Sequence, residues 1–458
     1  MNVVADIMMF AWPAVVLAIF LVATPRKAVI ASFVLGWLFL PLSTYSLPLI
    51  PDYSKMTATS LSVAAAILLF DASRIHRLRP SWIDLPIAVF CVCPLFSSLT
   101  NDLGIWDGVS ATVGQSLTWG LPYMVGRIYF DDGPAIRELA IGIFLGGLIY
   151  VPFCWFEMRM SPQLAQMVYG DSGRWGNAVR FGGYRPRVFM QDGLMVAMWM
   201  ATATLIGICL WRAKLLPQLY NLPASLWVAM LTTTTILCRS TGALALLLVG
   251  LACFWFTRAS LTRLALIGLL AIAPAYLFTR IAGFWDGTQI THLVAQLDED
   301  RAQSFQFRLD NEDILVAKAM QSPILGWGGW GRSRVFDEFG KDISITDGLW
   351  IQILGTNGLI GLIALYGILL LPLWQCISFY RVMPSRDLPV ILSLSIATTL
   401  YAIDCLPNSM ENPTFMLIAG GLANASTFKR KLIDDREVVS TNTDARSRQP
   451  WPRCSQAT

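Results

Sequence analysis

Apolar runs long enough to span a bilayer recur along almost the whole chain, and this repetition limits the fold more than any other feature. A crossing helix needs about 20 such residues, and roughly thirteen runs can be laid on the sequence. They fall near 7–24, 28–43, 57–71, 84–100, 112–130, 138–157, 192–211, 223–238, 241–257, 264–280, 349–373, 388–405 and 412–427. Only 14% of the 458 residues are charged and 55% are hydrophobic, too little charge to cover a soluble protein of this length. The expectation is therefore an all-α polytopic transmembrane bundle of about 12–13 helices. The first run lacks a basic flank and is followed by others, so it is taken as a helix rather than a cleaved signal.

Basic residues cluster in alternate connections: Arg26 and Lys27, then Arg74, Arg77 and Arg79, then Arg212 and Lys214, then Arg258 and Arg263, then Arg381 and Arg386. The intervening connections 44–56 (only Lys55), 101–111 and 406–411 are nearly free of them. Short basic loops stay cytoplasmic. This places the N-terminus outside, and Lys429-Arg-Lys431 with the polar tail 429–458 inside; the tail is expected to be disordered. Between them lie N-terminal membrane helices (1–157), an outer loop (158–191), further helices (192–280), a large outer loop (281–348) and C-terminal helices (349–428).

The cysteines lie mostly within apolar runs, where Cys acts as a small hydrophobe, and the chain has only two histidines, His76 and His292. Neither a His/Cys metal site nor a disulfide scaffold is expected. No metal and no cofactor enter the expectation.

The first long loop holds Arg159, Arg174, Arg180, Arg185 and Arg187 against one internal acid, Asp171. Guanidinium binds phosphate oxygens in a fork and stays charged, so this loop suits a phosphate-bearing ligand; attraction to anionic headgroups is the plainer alternative. Arg239 stands between two apolar runs at the same face. An arginine at membrane depth is a functional candidate by default, and a snorkelling anchor otherwise. Arg127, beside Asp131 and Asp132 on the opposite side, is explained by topology. Of the carboxylates on the outer face, Glu157 either binds ligand or pairs with Arg159. Asp347 either acts chemically or complements the dipole of the helix it begins.

The second long loop carries Phe305, Phe307, Leu309, Ile314, Leu315 and Met320, which predict an amphipathic helix lying in the interface. Gly326-Trp-Gly-Gly-Trp-Gly331 lacks the ending of a nucleotide loop and follows no strand. A tight turn with two interfacial tryptophans is the favoured reading.

Cys238-Arg-Ser-Thr-Gly-Ala-Leu-Ala-Leu246, Arg308 followed by Pro323-Ile-Leu-Gly-Trp-Gly328, and Asp347-Gly-Leu-Trp-Ile-Gln-Ile-Leu-Gly-Thr-Asn-Gly-Leu-Ile-Gly361 occur in that order. With Gly183-Tyr-Arg-Pro-Arg-Val-Phe189, they resemble the bacterial O-antigen polymerase and ligase superfamily of membrane glycosyltransferases. The resemblance is clear over about 230–372, where it covers an O-antigen ligase-related region; elsewhere it is one of hydropathy.

It implies a GT-C-like bundle in the bacterial inner membrane and metal-independent glycosyl transfer from an undecaprenyl-diphosphate-linked oligosaccharide at the periplasmic face. Arg239, with Arg185, Arg187 and Arg308, would neutralise the leaving diphosphate. Glu157 would join the substrate site, and Asp347 would receive the acceptor's proton. Ligases of this family typically carry a histidine just before the re-entering helix. Asp347 stands there instead, which favours polymerisation of O-antigen or exopolysaccharide repeat units over ligation to a lipid or protein acceptor. The bilayer and other polysaccharide-assembly proteins are the expected partners, with no nucleic acid. A transporter or flippase is the alternative from another class, ranked lower because no internal repeat is visible and the outer loops are unequal. A non-catalytic assembly component is the third.

Overall fold

The computed structural model describes residues 1–46, 51–171, 179–216, 221–255, 261–296, 299–379 and 386–424. Arg174, Arg258, Arg381 and the tail 429–458 lie outside the described residues. The helices are α1 (Val3–Val22), α2 (Pro25–Phe39), α3 (Lys55–Phe70), α4 (Leu85–Thr100), α5 (Ile105–Gln115), α6 (Leu121–Tyr129), α7 (Gly133–Met160), α8 (Leu164–Tyr169) and α9 (Gly193–Arg212). They continue with α10 (Ala224–Leu237), α11 (Thr241–Trp255), α12 (Leu261–Ile281), α13 (Thr288–Ala295), α14 (Glu299–Ala319), α15 (Leu349–Phe379), α16 (Leu388–Asp404) and α17 (Pro413–Leu422). The strands among the described residues are β1 (Val179–Arg180) and β2 (Gly183–Tyr184), which form one short antiparallel hairpin.

Among the described residues, six helical segments are long and apolar enough to cross a membrane: Val3–Val22, Trp82–Thr100, Gly133–Met160, Gly193–Arg212, Arg263–Ile281 and Leu349–Ser378. α3, α10, α11, α16 and α17 are apolar but shorter. α2 falls in neither group, and the run expected at 112–130 is split by a π-helical turn at Ser116–Gly120 between α5 and α6. Large apolar side chains such as Leu69, Leu248, Leu264 and Ile363 point outward from their helices, an arrangement that water disfavours and lipid does not.

Helix ends are set by local chemistry. Asp132 accepts from Ala135 N–H (2.7 Å) at the start of α7, and Asp192 from Leu194 N–H (2.8 Å) and Met195 N–H (3.0 Å) at the start of α9. Such caps satisfy amides that the helix leaves free.

Polar contacts sort the connections into two ends of the bundle. At one end Arg26 meets Asp131 (3.2 Å) and Asp132 (2.6 Å), and Arg137 meets Asp387 (2.9 Å). Arg127, buried, binds Asp84 (2.8 Å) and the side chain of Asn424. It ties α6 to the segments around α4 and α17, so it joins helices rather than merely marking topology. At the other end Asn2 binds the carbonyl of Val168 (3.0 Å), Asn101 that of Gly326 (2.9 Å), and Trp330 the Asp107 carboxylate (2.6 Å). Arg239 binds the first long loop there, and both long loops share this end.

α15 is not the continuous helix expected over 349–373. It breaks at Gly358, whose φ is +66°. The freed backbone pairs with the glycine-rich segment: Trp327 N–H donates to Gly355 O (2.8 Å), Gly328 N–H to Thr356 O (3.0 Å) and Leu359 N–H to Pro323 O (2.8 Å). Ser97 Oγ of α4 also donates to Thr356 O (2.8 Å). Non-helical backbone at membrane depth persists only when such partners are supplied. Gly326 is required for this stitch. Its φ is +71°, and a Cβ there would stand 2.6 Å from Gly358 N, against backbone that has no room to yield. Trp330 is exposed, whereas Trp327 donates its indole N–H to Lys318 O (2.9 Å) beneath the Lys318 ammonium.

α14 is the helix expected in the second long loop, but it is held by charge as well as by an apolar face. Buried Arg280, at the end of α12, pairs with Glu312 (3.2 Å) and Asp313 (2.9 Å), and Glu312 also accepts from Tyr276 (2.7 Å) and Trp350 (3.3 Å). Burial raises Glu312 above the ordinary carboxylate range, against the hydrogen bond from Tyr276 and the charge of Arg280.

Candidate functional site

Asp347 does not cap the following helix. α15 starts at Leu349, whose N–H donates to the carbonyls of Cys405 (3.0 Å) and Asn408 (3.2 Å). The Asp347 carboxylate instead takes Arg308 Nε of α14 at 3.3 Å, and Arg308 Nη1 donates on to Pro407 O (3.3 Å). Two sequence-distant candidates thus form one unit, a carboxylate oriented by a guanidinium that the 405–412 turn fixes in place.

This carboxylate lines a cavity of about 840 Å³, within the usual size range of small-ligand sites. The wall is drawn from four regions: Trp37, Ser43 and Lys55 from α2, its following connection and α3; Gln191 and Met195 from the first long loop and α9; Arg334 and Thr346 from the second long loop; and Gln352 from the start of α15 with Ser409 and Glu411 from the α16–α17 connection. Ser409 Oγ donates to Gln352 Oε1 (2.9 Å), and Arg334 donates to Thr346 Oγ1 (3.1 Å) and Asp342 (3.0 Å). Hydroxyl, amide, carboxylate and cationic groups therefore face one space beside an indole.

The first loop reaches the cavity wall through Gln191, and its described arginines lie behind that wall rather than on it. Glu157 does not pair with Arg159. Its buried carboxylate accepts from Leu164 N–H (2.9 Å), Arg187 N–H (2.7 Å) and Val188 N–H (2.6 Å), so it anchors the loop to α7 and has both oxygens engaged. Arg187 is likewise committed, to Asp171 and to the carbonyls of Met190 (2.9 Å) and Gln191 (3.0 Å).

Arg185 differs from both. It is 5% exposed, and its Nε and Nη2 have no hydrogen-bond partner among the described residues. Its stem packs against Gly193, between the cavity-lining Gln191 and Met195. Burial, then the charge of Arg180, pulls the guanidinium below its ordinary value, opposed by Asp192 and Asp404.

Arg239 is placed on the hairpin. Its own φ is +54°, and Nη1 donates to Arg180 O (2.8 Å) and to Phe181 O. Gly183 leaves the room this guanidinium occupies. Its visible work is to hold the β1–β2 turn. Among the described residues no hydrogen bond or ion pair joins it to Asp347.

Sequence reasoning missed Lys55, noted only as the one basic residue of a neutral connection. It is 6% exposed, donates to Trp37 O (3.2 Å) and sits 4.3 Å from the centre of the Trp37 ring. A lysine alone in an otherwise uncharged outer connection was the available signal.

A second, almost wholly apolar groove of about 730 Å³ runs between α12 and α15, bounded by Pro274, Phe278, Met320, Ile363 and Trp374. Tyr366 lies along it, and its buried hydroxyl has no hydrogen-bond partner among the described residues.

No known family model matches the chain, and no curated protein matches it. The assignment of a function therefore rests on the residues themselves.

Proposed function

We infer that the chain is a multi-pass glycosyltransferase of the bacterial inner membrane, GT-C-like in architecture. Its proposed reaction polymerises undecaprenyl-diphosphate-linked repeat units at the periplasmic face. The observation that carries this reading is the polar cavity with the Arg308-oriented Asp347 on its wall, at the end of an apolar helix bundle where both long loops meet. A carboxylate beside hydroxyl and amide groups suits a polyhydroxylated ligand. The apolar groove between α12 and α15 suits an isoprenoid chain.

In the proposed step an acceptor sugar hydroxyl attacks the anomeric carbon of the donor, its proton passes to Asp347, and the bond to the diphosphate oxygen breaks. The leaving group gains charge as that bond lengthens, and a preset guanidinium stabilises it most at that moment. Arg185 is assigned this role because its Nε and Nη2 have no hydrogen-bond partner among the described residues. Glu157, Arg187 and Arg239 become positioning residues that hold the loop carrying it. In this reading thirteen crossings leave the N-terminus outside and place both long loops in the periplasm, following the basic connections.

The cell-surface glycan of a deletion strain tests the reaction class. A polymerase knockout is expected to lose long chains and still display or accumulate single repeat units. Long lipid-linked chains building up unattached to their acceptor would make the protein a ligase instead.

A further inference from the structure

The charge on Lys55 has no acidic partner. It makes no ion pair among the described residues, its Nζ donates to one carbonyl, and the charged side chain acting on it is Arg187, a second cation. A buried ammonium is costly unless it is paired, and burial, then the charge of Arg187, pulls Lys55 down to about 7, so the amine holds its proton firmly only when an anion joins it. The unmatched charge borders a cavity large enough for a ligand, so the missing counter-charge is one the ligand can bring.

The rest of the wall indicates which anion. Ser43, Ser54, Thr346, Gln191 and Gln352 offer neutral hydrogen-bonding groups, and the Trp37 indole lies beside the ammonium. The hydroxyls and amides match the hydroxyls of a sugar ring. The proposed reaction gives the diphosphate to Arg185, which leaves Lys55 for a different anion. Lysine is also a point charge rather than the planar fork that phosphate favours.

We propose that this cavity binds an acidic sugar, with the uronate carboxylate seated on Lys55. The proposal rests on the glycan-transfer reading for its choice of a sugar, and it names the substrate class: a repeat unit containing a uronic acid. Lys55 is then a specificity-determining residue, placed apart from the proton-accepting Asp347. Loss of a hydrogen-bonded charge pair on binding weakens affinity by about tenfold or more.

The test is calorimetric binding to the full-length protein in lipid nanodiscs, which needs no turnover. An oligogalacturonate is compared with its fully methyl-esterified form, so that the charge is removed from the ligand and the protein is untouched. Wild type is expected to bind the acid about tenfold or more tightly than the ester. In Lys55→Met the two should bind alike, at the level of the ester. Equal binding of acid and ester by wild type overturns the proposal, as does a preference for the acid that survives Lys55→Met. A protein that prefers the acid but transfers no sugar would fail the proposed function and keep this site, so the two failures are separable.

Discussion

Asp347→Asn is expected to lower glycosyl transfer by about a hundredfold or more, the range over which a positioned base contributes, while substrate binding stays near wild type. Asparagine keeps the shape of the side chain and removes its basicity. Among the described residues no amide of α15 donates to the Asp347 carboxylate, and asparagine would suit the helix start as well as aspartate, so a residue that only served the helix end would give a nearly silent variant. α15 begins at Leu349, and its first N–H is already bonded to Cys405 O and Asn408 O. Stability should hardly move, because the Arg308–Asp347 pair is 34% and 39% exposed and pairs of that kind contribute about 0–1 kcal/mol. The split between an unchanged binding constant and a depressed turnover separates a proton acceptor from a structural residue. Transfer at wild-type rate from Asp347→Asn would remove the base from the mechanism.

Arg185→Ala should lower turnover by about a hundred- to a thousandfold, the effect of losing one oriented donor at a developing negative charge. Arg185→Lys should restore little, since an ammonium cannot reproduce two parallel N–H donors. Both variants should reach the membrane and unfold near the wild-type temperature, because Nε and Nη2 hold no native hydrogen bond among the described residues whose loss would be felt. A lowered unfolding temperature with transfer intact would instead make Arg185 a packing residue against Gly193. Among the arginines of the first loop it is the informative one to change: Arg187→Ala would disturb Asp171 and two carbonyls at once, and its phenotype would be a loop phenotype.

The helices were legible in the sequence because apolar length is a local property, and most of the runs fall on helices with nearly the expected bounds. The expectation that both long loops share one face came from the alternation of basic and neutral connections rather than from apolar length. The break in α15 was not legible. Gly358 lies within an apolar run, and the partners that satisfy the opened backbone lie about thirty residues earlier, in Pro323–Gly328. Side chain to backbone bonds were equally hidden: Glu157 suggested a pairing with Arg159, but its partners are three amides, and any residue except proline carries an amide. Arg239 stood out correctly as an arginine at a helix junction. Its attachment to the carbonyls of Arg180 and Phe181 depends on a hairpin turn that composition does not specify. Lys55 was invisible for the opposite reason. Counted as a weak topological charge, it becomes meaningful only once folding sets it against Trp37 and Arg187.

The central claim is that this chain joins sugars rather than moving or merely gathering them. Purified protein in proteoliposomes, given an undecaprenyl-diphosphate-linked oligosaccharide in the presence of EDTA, tests it most directly. A ladder of longer lipid-linked glycans is expected, with undecaprenyl diphosphate released in step with each addition and no ladder from Asp347→Asn. Unchanged oligosaccharide that has crossed the bilayer, or a ladder that forms only when a divalent ion is restored, would contradict it.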